Sequence, residues 1–254
     1  MSSPEAPDLG LPSIGREFMS KTMHRHLGAS AQQRGLEQPP LELPPDSESP
    51  LIDLPAPAEC HVPSVDLRAA IEQRRSTRSY AEAALTLAEL SFLLWCTQGV
   101  QRAGRQATLR TVPSAGARHA FETLILVNNV EGLEPGLYRF IASSHKLQLR
   151  DLDGALAAKV ATACFDQQFI LQSGAVFLWT AVADRMTWRY GERGYRYLHL
   201  DAGHVCQNLY LAAQAVGCGA CAIAAFDDQA MNDLLGIDGV DWFLVYMATV
   251  GKKK

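Results

Sequence analysis

Ile71-Glu72-Gln73-Arg74-Arg75-Ser76-Thr77-Arg78-Ser79-Tyr80 gathers three guanidinium groups and several hydroxyls at the point where a helix is expected to end. Arg74, Arg75 and Arg78 stay charged at any physiological pH, and their planar forks match phosphate oxygens two at a time. A phosphate monoester carries about −1.5 to −2 charges at neutral pH and offers three acceptor oxygens. Two of the arginines with the Ser76 hydroxyl could neutralise and saturate it, each charge-assisted hydrogen bond contributing roughly 1.5–3 kcal/mol. The same residues also suit a solvated helix terminus, because cations are favoured at the C-terminal end of a helix dipole. The ten residues alone do not separate these readings.

Around this stretch the chain has two regimes. Residues 1–64 hold 11 of the 13 prolines and nine acidic against four basic residues, whereas the remainder is nearly charge-balanced. Residues 1–63 therefore read as a Pro-rich arm, extended or partly ordered, with a short helical stretch at Ile14–Leu27. Apolar residues such as Phe18, Leu41, Leu43, Leu51 and Ile52 favour an arm that wraps over the folded part. Residues 64–254 read as the domain proper, and 254 residues at 48% hydrophobic suffice for one substantial core. A net charge of −4 argues against a general nucleic-acid binder. Apolar runs such as 175–183 are too short to cross a bilayer and no signal core opens the chain, so a cytoplasmic protein without membrane contact is expected.

Within the domain, Ser64 is placed to cap a helix carrying Leu67, Ala70 and Ile71, which delivers the arginines at its end. Thr86 and Glu89 form a capping box for a second helix bearing Leu90, Leu93 and Leu94, with Gly99 at its close. After a polar, basic segment at 101–111, Pro113-Ser114-Ala115-Gly116-Ala117 lines up small residues that let backbone N–H groups approach a flat or anionic ligand. Phe121–Val127 reads as a strand, and 136–141 with 147–150 as a hairpin. A helix is expected within 153–165 and a buried strand at Ala175–Val182. The charged and aromatic segment Asp184–Gly194 has no apolar period and reads as an ordered active-site loop. Tyr195–Val216 is the best helix, its apolar stripe and small residues fitting a core or a dimer interface. Asp227 caps a short helix ending at Gly236, and Trp242–Val250 reads as a central strand covered on both faces. The irregular alternation of helices and strands indicates an α+β fold.

Three chemistries compete. His204, Cys206, Cys218 and Cys221 are ligand types that zinc takes, but His204 and Cys206 stand two apart on a strong helix and point in different directions. Cys218-x-x-Cys221 follows a helix-ending glycine, whereas the redox motif opens a helix; buried reduced thiols are the simpler reading. The third chemistry is a pocket for a large planar, phosphorylated cofactor, built from the arginine cluster, Pro113–Ala117 and a second low-bulk run, Cys221-Ala222-Ile223-Ala224-Ala225-Phe226. Neither a G-x-G-x-x-G turn nor a P-loop is present.

Arg74–Arg78, Pro113–Ala117, Gly136-Leu137-Tyr138, Tyr190–Tyr197, Ala202-Gly203-His204 with Gln207-Asn208, and Ile223–Asp227 together resemble the nitroreductase superfamily, and within it the SagB-type dehydrogenase branch, over residues 65–251. The resemblance implies a central mixed sheet flanked by helices, an intertwined homodimer, and FMN sites at the subunit interface. It assigns Arg74, Arg75, Ser76 and Arg78 to the FMN phosphate and ribityl chain. Pro113, Ser114, Ala115, Gly116 and Ala117 would contact the flavin from the partner subunit, and the backbone of Ile223, Ala224 and Ala225 would face its N5 edge. Lys252 or Lys253, after the last strand, would complete the clamp or form a solvated tail. The chemistry implied is hydride transfer between flavin N5 and a peptide or small natural-product substrate. The alternatives are a nitro or quinone reductase with NAD(P)H as electron donor, and a non-catalytic flavin-binding or partner protein. Azoline-oxidising members carry a Lys-Tyr pair where this chain has Arg189-Tyr190; a lysine can be tuned into a base and an arginine cannot. Tyr190 remains as acid or base, and Arg189 as an orienting cation or a surface residue.

Overall fold

The computed structural model describes residues 13–254; the first twelve residues of the expected arm lie outside them. The arm and first helices comprise α1 (Ile14–Lys21), β1 (Leu51–Asp53), α2 (Leu67–Gln73) and α3 (Leu87–Gln98). A small hairpin, β2 (Val100–Ala103) and β3 (Thr108–Arg110), precedes β4 (Phe121–Val127), β5 (Gly136–Ile141) and β6 (Lys146–Asp151). Then come α4 (Leu156–Ala163), α5 (Phe169–Gln172), β7 (Ala175–Val182), α6 (Asp184–Tyr190) and α7 (Gly194–Ala215). The chain closes with β8 (Cys218–Ile223), α8 (Asp228–Leu235) and β9 (Trp242–Lys252).

Seven strands form one sheet in the order β1-β6-β5-β4-β7-β9-β8. The expected mixed sheet is corrected: every strand pair described in it is antiparallel, and among the described residues parallel pairing occurs only as single bridges, Ser76 to Ala220 and Leu85 to Val130. Alternation with period two builds a core on each face. Ile125, Phe177 and Trp179 pack with Leu90 and Leu94 of α3 and Leu209 of α7. Leu124, Leu126 and Leu178 pack on the other face with α4 and α8. Because β4 and β7 are covered on both faces, they read as largely apolar runs, interrupted by Glu122 and Thr123 in β4 and by Thr180 in β7.

The Thr86–Glu89 capping box, the Asp227 cap and the left-handed Gly236 stand as expected. Asp66, not Ser64, caps α2, its carboxylate accepting from the Ala69 amide at 2.9 Å. The segment expected to be a loop, 184–194, is the two-turn helix α6 followed by a 3₁₀ turn. Seven residues are too few to display an apolar period, and the arm satisfies its polar groups: Trp188 Nε1 donates to Leu36 O at 2.9 Å and Arg185 Nε to Pro40 O at 2.7 Å. The hairpin β2–β3 was not foreseen in its polar sequence, since exposed β2 residues carry no alternation. β9 extends past Val250 to Lys252 and lies one strand in from the sheet edge.

Residues 13–63 lie along the domain, and a buried ion cluster ties them down. The Glu122 carboxylate, 2% exposed, sits 2.9 Å from Arg139 Nη2 and 2.5 Å from Arg185 Nη2, both guanidiniums being 3% exposed. Glu122 also accepts from the Leu43 amide at 2.8 Å, while Arg139 donates to the carbonyls of Leu43 and Pro44. Further along, β1 pairs with β6. His119, at the turn into β4, is 5% exposed, and burial lowers its pKa to about 3.

Two outcomes are expected. Glu122→Gln leaves two buried guanidiniums uncompensated and should destabilise the chain by about 3 kcal/mol or more. A fall in the urea midpoint, with protease cleavage appearing at 36–46, is the measurement. His119 stays neutral when folded while the unfolded side chain takes a proton below pH about 6.5, so its contribution is full above that pH and lost as pH falls toward 3. Stability of the native chain should drop by up to about 1.4 kcal/mol per pH unit more steeply than that of His119→Asn across this window, read by urea titrations at pH 7, 5 and 4.

Candidate functional site

The arginine stretch docks on the outer edge of β8. Thr77 N donates to Ala220 O at 2.9 Å, and this close approach is possible because residue 219 is glycine: a Cβ there would lie 2.6 Å from Thr77 Cβ. Ser76 Oγ lies 3.0 Å from the Tyr210 hydroxyl, which also accepts from the Ala222 amide at 2.8 Å. The Arg74 guanidinium sits 5.1 Å over the Tyr210 ring. One phenol on α7 thus joins the helix end, Ser76 and β8. Beyond β8, the amides of Ala224 and Ala225 donate to no acceptor among the described residues, and both alanines are exposed.

The four arginine-cluster residues do not act alike. Arg74 is half-buried and Arg78 exposed, and neither guanidinium donates to a protein acceptor among the described residues. Burial raises the Cys221 pKa and the Arg78 charge opposes it, which puts Arg78 on the β8 side. Arg75 turns back, its Nη1 donating at 2.8 Å to the carbonyls of Glu72 and Arg74, where it caps α2. Lys252 lies inside the last strand, not after it, and its ammonium is paired with Glu89. Lys253 reaches Gln214 Oε1 at 2.6 Å. The Lys252 charge is thus met by an acid of the protein, whereas Lys253 rests on a neutral amide oxygen.

The Pro113–Ala117 turn lies elsewhere on α7. Ala115 N donates to the Asp201 carboxylate at 3.2 Å, and Ser114 Oγ accepts from His119 N at 2.9 Å. Burial raises the Asp201 pKa, opposed by hydrogen bonds from Ser114 and Ala115. Gly116 takes φ 57°, and a Cβ there would collide with the Tyr190 hydroxyl and lie 2.9 Å from Arg189 Cδ. Both expected reactive residues, Arg189 and Tyr190, are therefore stacked on this turn, with Tyr190 edge-on to Tyr197 at 4.8 Å. Asp201 and Tyr210 are nine residues apart on one helix, about 13 Å along its axis. One chain thus brings Arg74, Ser76, Arg78 and Ala222–Ala225 together at one end, and 113–117 with Arg189 and Tyr190 at the other.

Tyr210, Asp201 and Gly219 were missed by sequence reasoning. Asp201 left a signal, a carboxylate embedded between Leu198 and Ala202 on the apolar stripe of α7; Tyr210 left none beyond being an aromatic on that stripe. Cys218 and Cys221 stand on opposite faces of β8, and burial pushes the thiols of Cys206 and Cys218 up to about 12 and about 11, disfavouring the thiolate that ligates metal or attacks disulfides. Among the described residues no three His, Cys, Asp or Glu side chains converge as a metal site, and no helix is long and apolar enough to cross a membrane.

Comparison with known proteins places this geometry. The model of the nitroreductase family matches residues 71–252. A Methanocaldococcus jannaschii protein that bears a nitroreductase name is 37% identical over 176 residues, covering 69% of this chain and 87% of its own. The trifolitoxin-processing protein TfxB of Rhizobium leguminosarum is 28% identical over 133 residues, 51% of this chain and 36% of that protein. Among solved structures, one from Anabaena variabilis titled as a nitroreductase is 33% identical with TM-score 0.64, covering 74% of this chain and 38% of that one. A Ralstonia eutropha structure of like title has TM-score 0.67 at 23% identity, with 84% and 96% covered. The chain thus spans well under half of TfxB and of the Anabaena chain, but most of the M. jannaschii protein. On the match of the family model and the archaeal relative, the chain belongs to the nitroreductase family.

Proposed function

We propose that the chain is an FMN-dependent oxidoreductase that works as a homodimer. The observation that carries this is the outer edge of β8, where Arg74, Arg78 and the Ser76 hydroxyl come together with the amides of Ala224 and Ala225; the two guanidiniums and the two amides find no protein acceptor among the described residues. These residues fit the group: cations and a hydroxyl for a phosphate tail, and two backbone donors on alanines with no bulk to hold off a flat ring. A Desulfovibrio desulfuricans structure titled as a nitroreductase in complex with FMN shares the fold at TM-score 0.53 and 18% identity. FMN supplies the hydride chemistry itself, so the protein need only bind, orient and tune it. Arg74 and Arg78 neutralise the phosphate, Tyr210 holds Ser76 in place, and the Ala224 and Ala225 amides offer preorganised donors to the N5 edge. Pro113–Ala117, which stands apart from the clamp within one chain, would contact the ring from the partner subunit. Exposed Leu200 and Gly203 on α7, with Leu67 and Ile71 on α2, supply apolar and low-bulk surface for that pairing.

Within the family, we place the chain with the SagB-type dehydrogenases, acting on a peptide or small natural-product substrate. Support comes from the likeness to TfxB and from the fold shared with a chain of the Escherichia coli microcin synthetase McbBCD complex, TM-score 0.60 at 18% identity. The second reading, an NAD(P)H-dependent nitro or quinone reductase, is favoured by Arg189, which cannot serve as a base. Tyr190 is then the proton-handling group, its hydroxyl held against Gly116.

The purified chain should be yellow, with about one FMN per subunit; a protein that stays colourless after addition of FMN overturns the reading. Arg74→Ala should weaken FMN binding by roughly tenfold or more, the loss of at least one charge-assisted hydrogen bond, whereas Arg75→Ala should leave it nearly unchanged. Fluorescence titration of FMN against the apoprotein measures both. Oxidation of azoline-containing peptides without turnover of nitroarenes is the expected substrate pattern; the reverse pattern with NAD(P)H selects the second reading, and bound FMN that no donor reduces selects a non-catalytic role.

A further inference from the structure

The arm does more than cover the domain. Between two anchors it becomes a strap over Arg189 and Tyr190. On one side Arg193 Nη1 donates to Thr22 O at 2.9 Å and Arg196 Nε to Thr22 Oγ1 at 2.6 Å. On the other, Gln32 N donates to Trp188 O at 2.8 Å, and Trp188 Nε1 to Leu36 O at 2.9 Å. The residues between span a cavity of about 750 Å³, roofed by Leu27–Ser30 with His24 and Gln33, and floored by Arg189, Tyr190 and Arg193. The volume falls in the range of small-molecule sites.

Its walls have one sign of charge. Among the described residues no carboxylate lines the cavity, while the guanidiniums of Arg189 and Arg193 do, with the His24 imidazole beside them. Arg193 is held by Thr22 and Tyr197, the latter at 2.8 Å from Nε. Arg189 has no such engagement: it is exposed, rests beside the Tyr190 ring at 5.8 Å and donates to no protein acceptor among the described residues. Arg118, stacked on Trp188, adds a further positive charge behind it; burial lowers its pKa and the Arg189 charge lowers it further. A free guanidinium among other cations, facing a cavity without acids, is an anion site in which a planar carboxylate can be held by two parallel hydrogen bonds.

We propose that the strap 24–33 and Arg189 form the substrate-recognition pocket of the enzyme, and that it selects molecules bearing a carboxylate, with Arg189 as the orienting cation and the arm as a specificity-determining roof. This rests on the FMN reading above for its catalytic meaning, since Tyr190 on the same floor is the residue placed next to the reacting ring.

Benzoate and benzamide, equal in shape and different in charge, are the probes, titrated by calorimetry or ligand-detected NMR into the full chain with and without FMN. Benzoate should bind at least about tenfold more tightly than benzamide, and Arg189→Gln should abolish the difference. Gly28 lines the cavity with nothing within 4 Å of its Cβ position and no unusual φ, so Gly28→Phe can fill the roof without strain; it should weaken both probes while leaving the unfolding midpoint and FMN content unchanged. Equal affinities for the two probes, benzoate binding untouched by Gly28→Phe, or benzoate displaced by FMN would each overturn the proposal, the last by showing that the cavity belongs to the cofactor. A chain that takes up no FMN yet prefers benzoate in this way would sink the flavin reading and leave the pocket standing.

Discussion

A strand at the edge of a sheet has one side of its backbone left over, and the site follows from how β8 disposes of it. β9 satisfies one side of β8. On the other, Thr77 N takes the Ala220 carbonyl and the Tyr210 hydroxyl takes the Ala222 amide. Both partners arrive because the chain after α2 can come close at Gly219 and because α7 packs against β8. At Ala220 and Ala222 the protein supplies its own partner, whereas the amides of Ala224 and Ala225 find none among the described residues. Exposed edges of this kind are usually blunted against unwanted pairing. Here the groups that cover the edge also place Arg74 and Ser76 beside it, which is the arrangement the proposed phosphate site uses.

The opposite end of α7 is governed by a different constraint, the buried carboxylate of Glu122. Two guanidiniums that share one acid are left with donors to spare, and the carbonyls of Pro40, Leu43 and Pro44 receive them. A proline-rich segment suits this role because it has few amides to satisfy and many carbonyls to offer. Over residues 40–44 the arm is thus bound largely through its carbonyls, while Thr22 Oγ1 and the Glu42 carboxylate add side-chain anchors. Leu27, Gly28 and Ala29 of the roof make no side-chain hydrogen bond among the described residues, so they can vary above Arg189 without disturbing what holds the arm in place.

Much of the frame could be read from residues because its determinants are local. The capping box at Thr86, the Asp227 cap, the apolar stripe of α7 and the apolar runs of β4, β7 and β9 each rest on spacings within one segment. Errors arose where distant chain decides the outcome. Asp184–Gly194 carries no period because its helix is held by the arm some 150 residues earlier in the sequence, through Arg185 and Trp188. The mixed sheet came with the family resemblance, whereas the described strand pairs are antiparallel, and the arginine stretch meets β8 through a parallel bridge, Ser76 to Ala220. Tyr210 could not be found at all: its function lies in a hydroxyl pointing from a core helix to two segments that no spacing connects to it.

Counting arginines overstates binding capacity for the same reason. In the two stretches singled out from sequence, Arg75 caps its own helix, Arg185 serves Glu122 and the arm, and Arg193 and Arg196 hold Thr22. Arg74, Arg78 and Arg189 alone in these stretches find no protein acceptor among the described residues. A guanidinium whose donors are already satisfied gives up about as much as it gains on binding an anion, so only the unsatisfied ones favour a ligand. By that criterion these two stretches hold two separate places for negative charge among the described residues. One, at the end of α2, faces a backbone stripped of bulk and suits a phosphate tail. The other, beneath the arm, faces a cavity beside the Tyr190 phenol and suits the carboxylate proposed above.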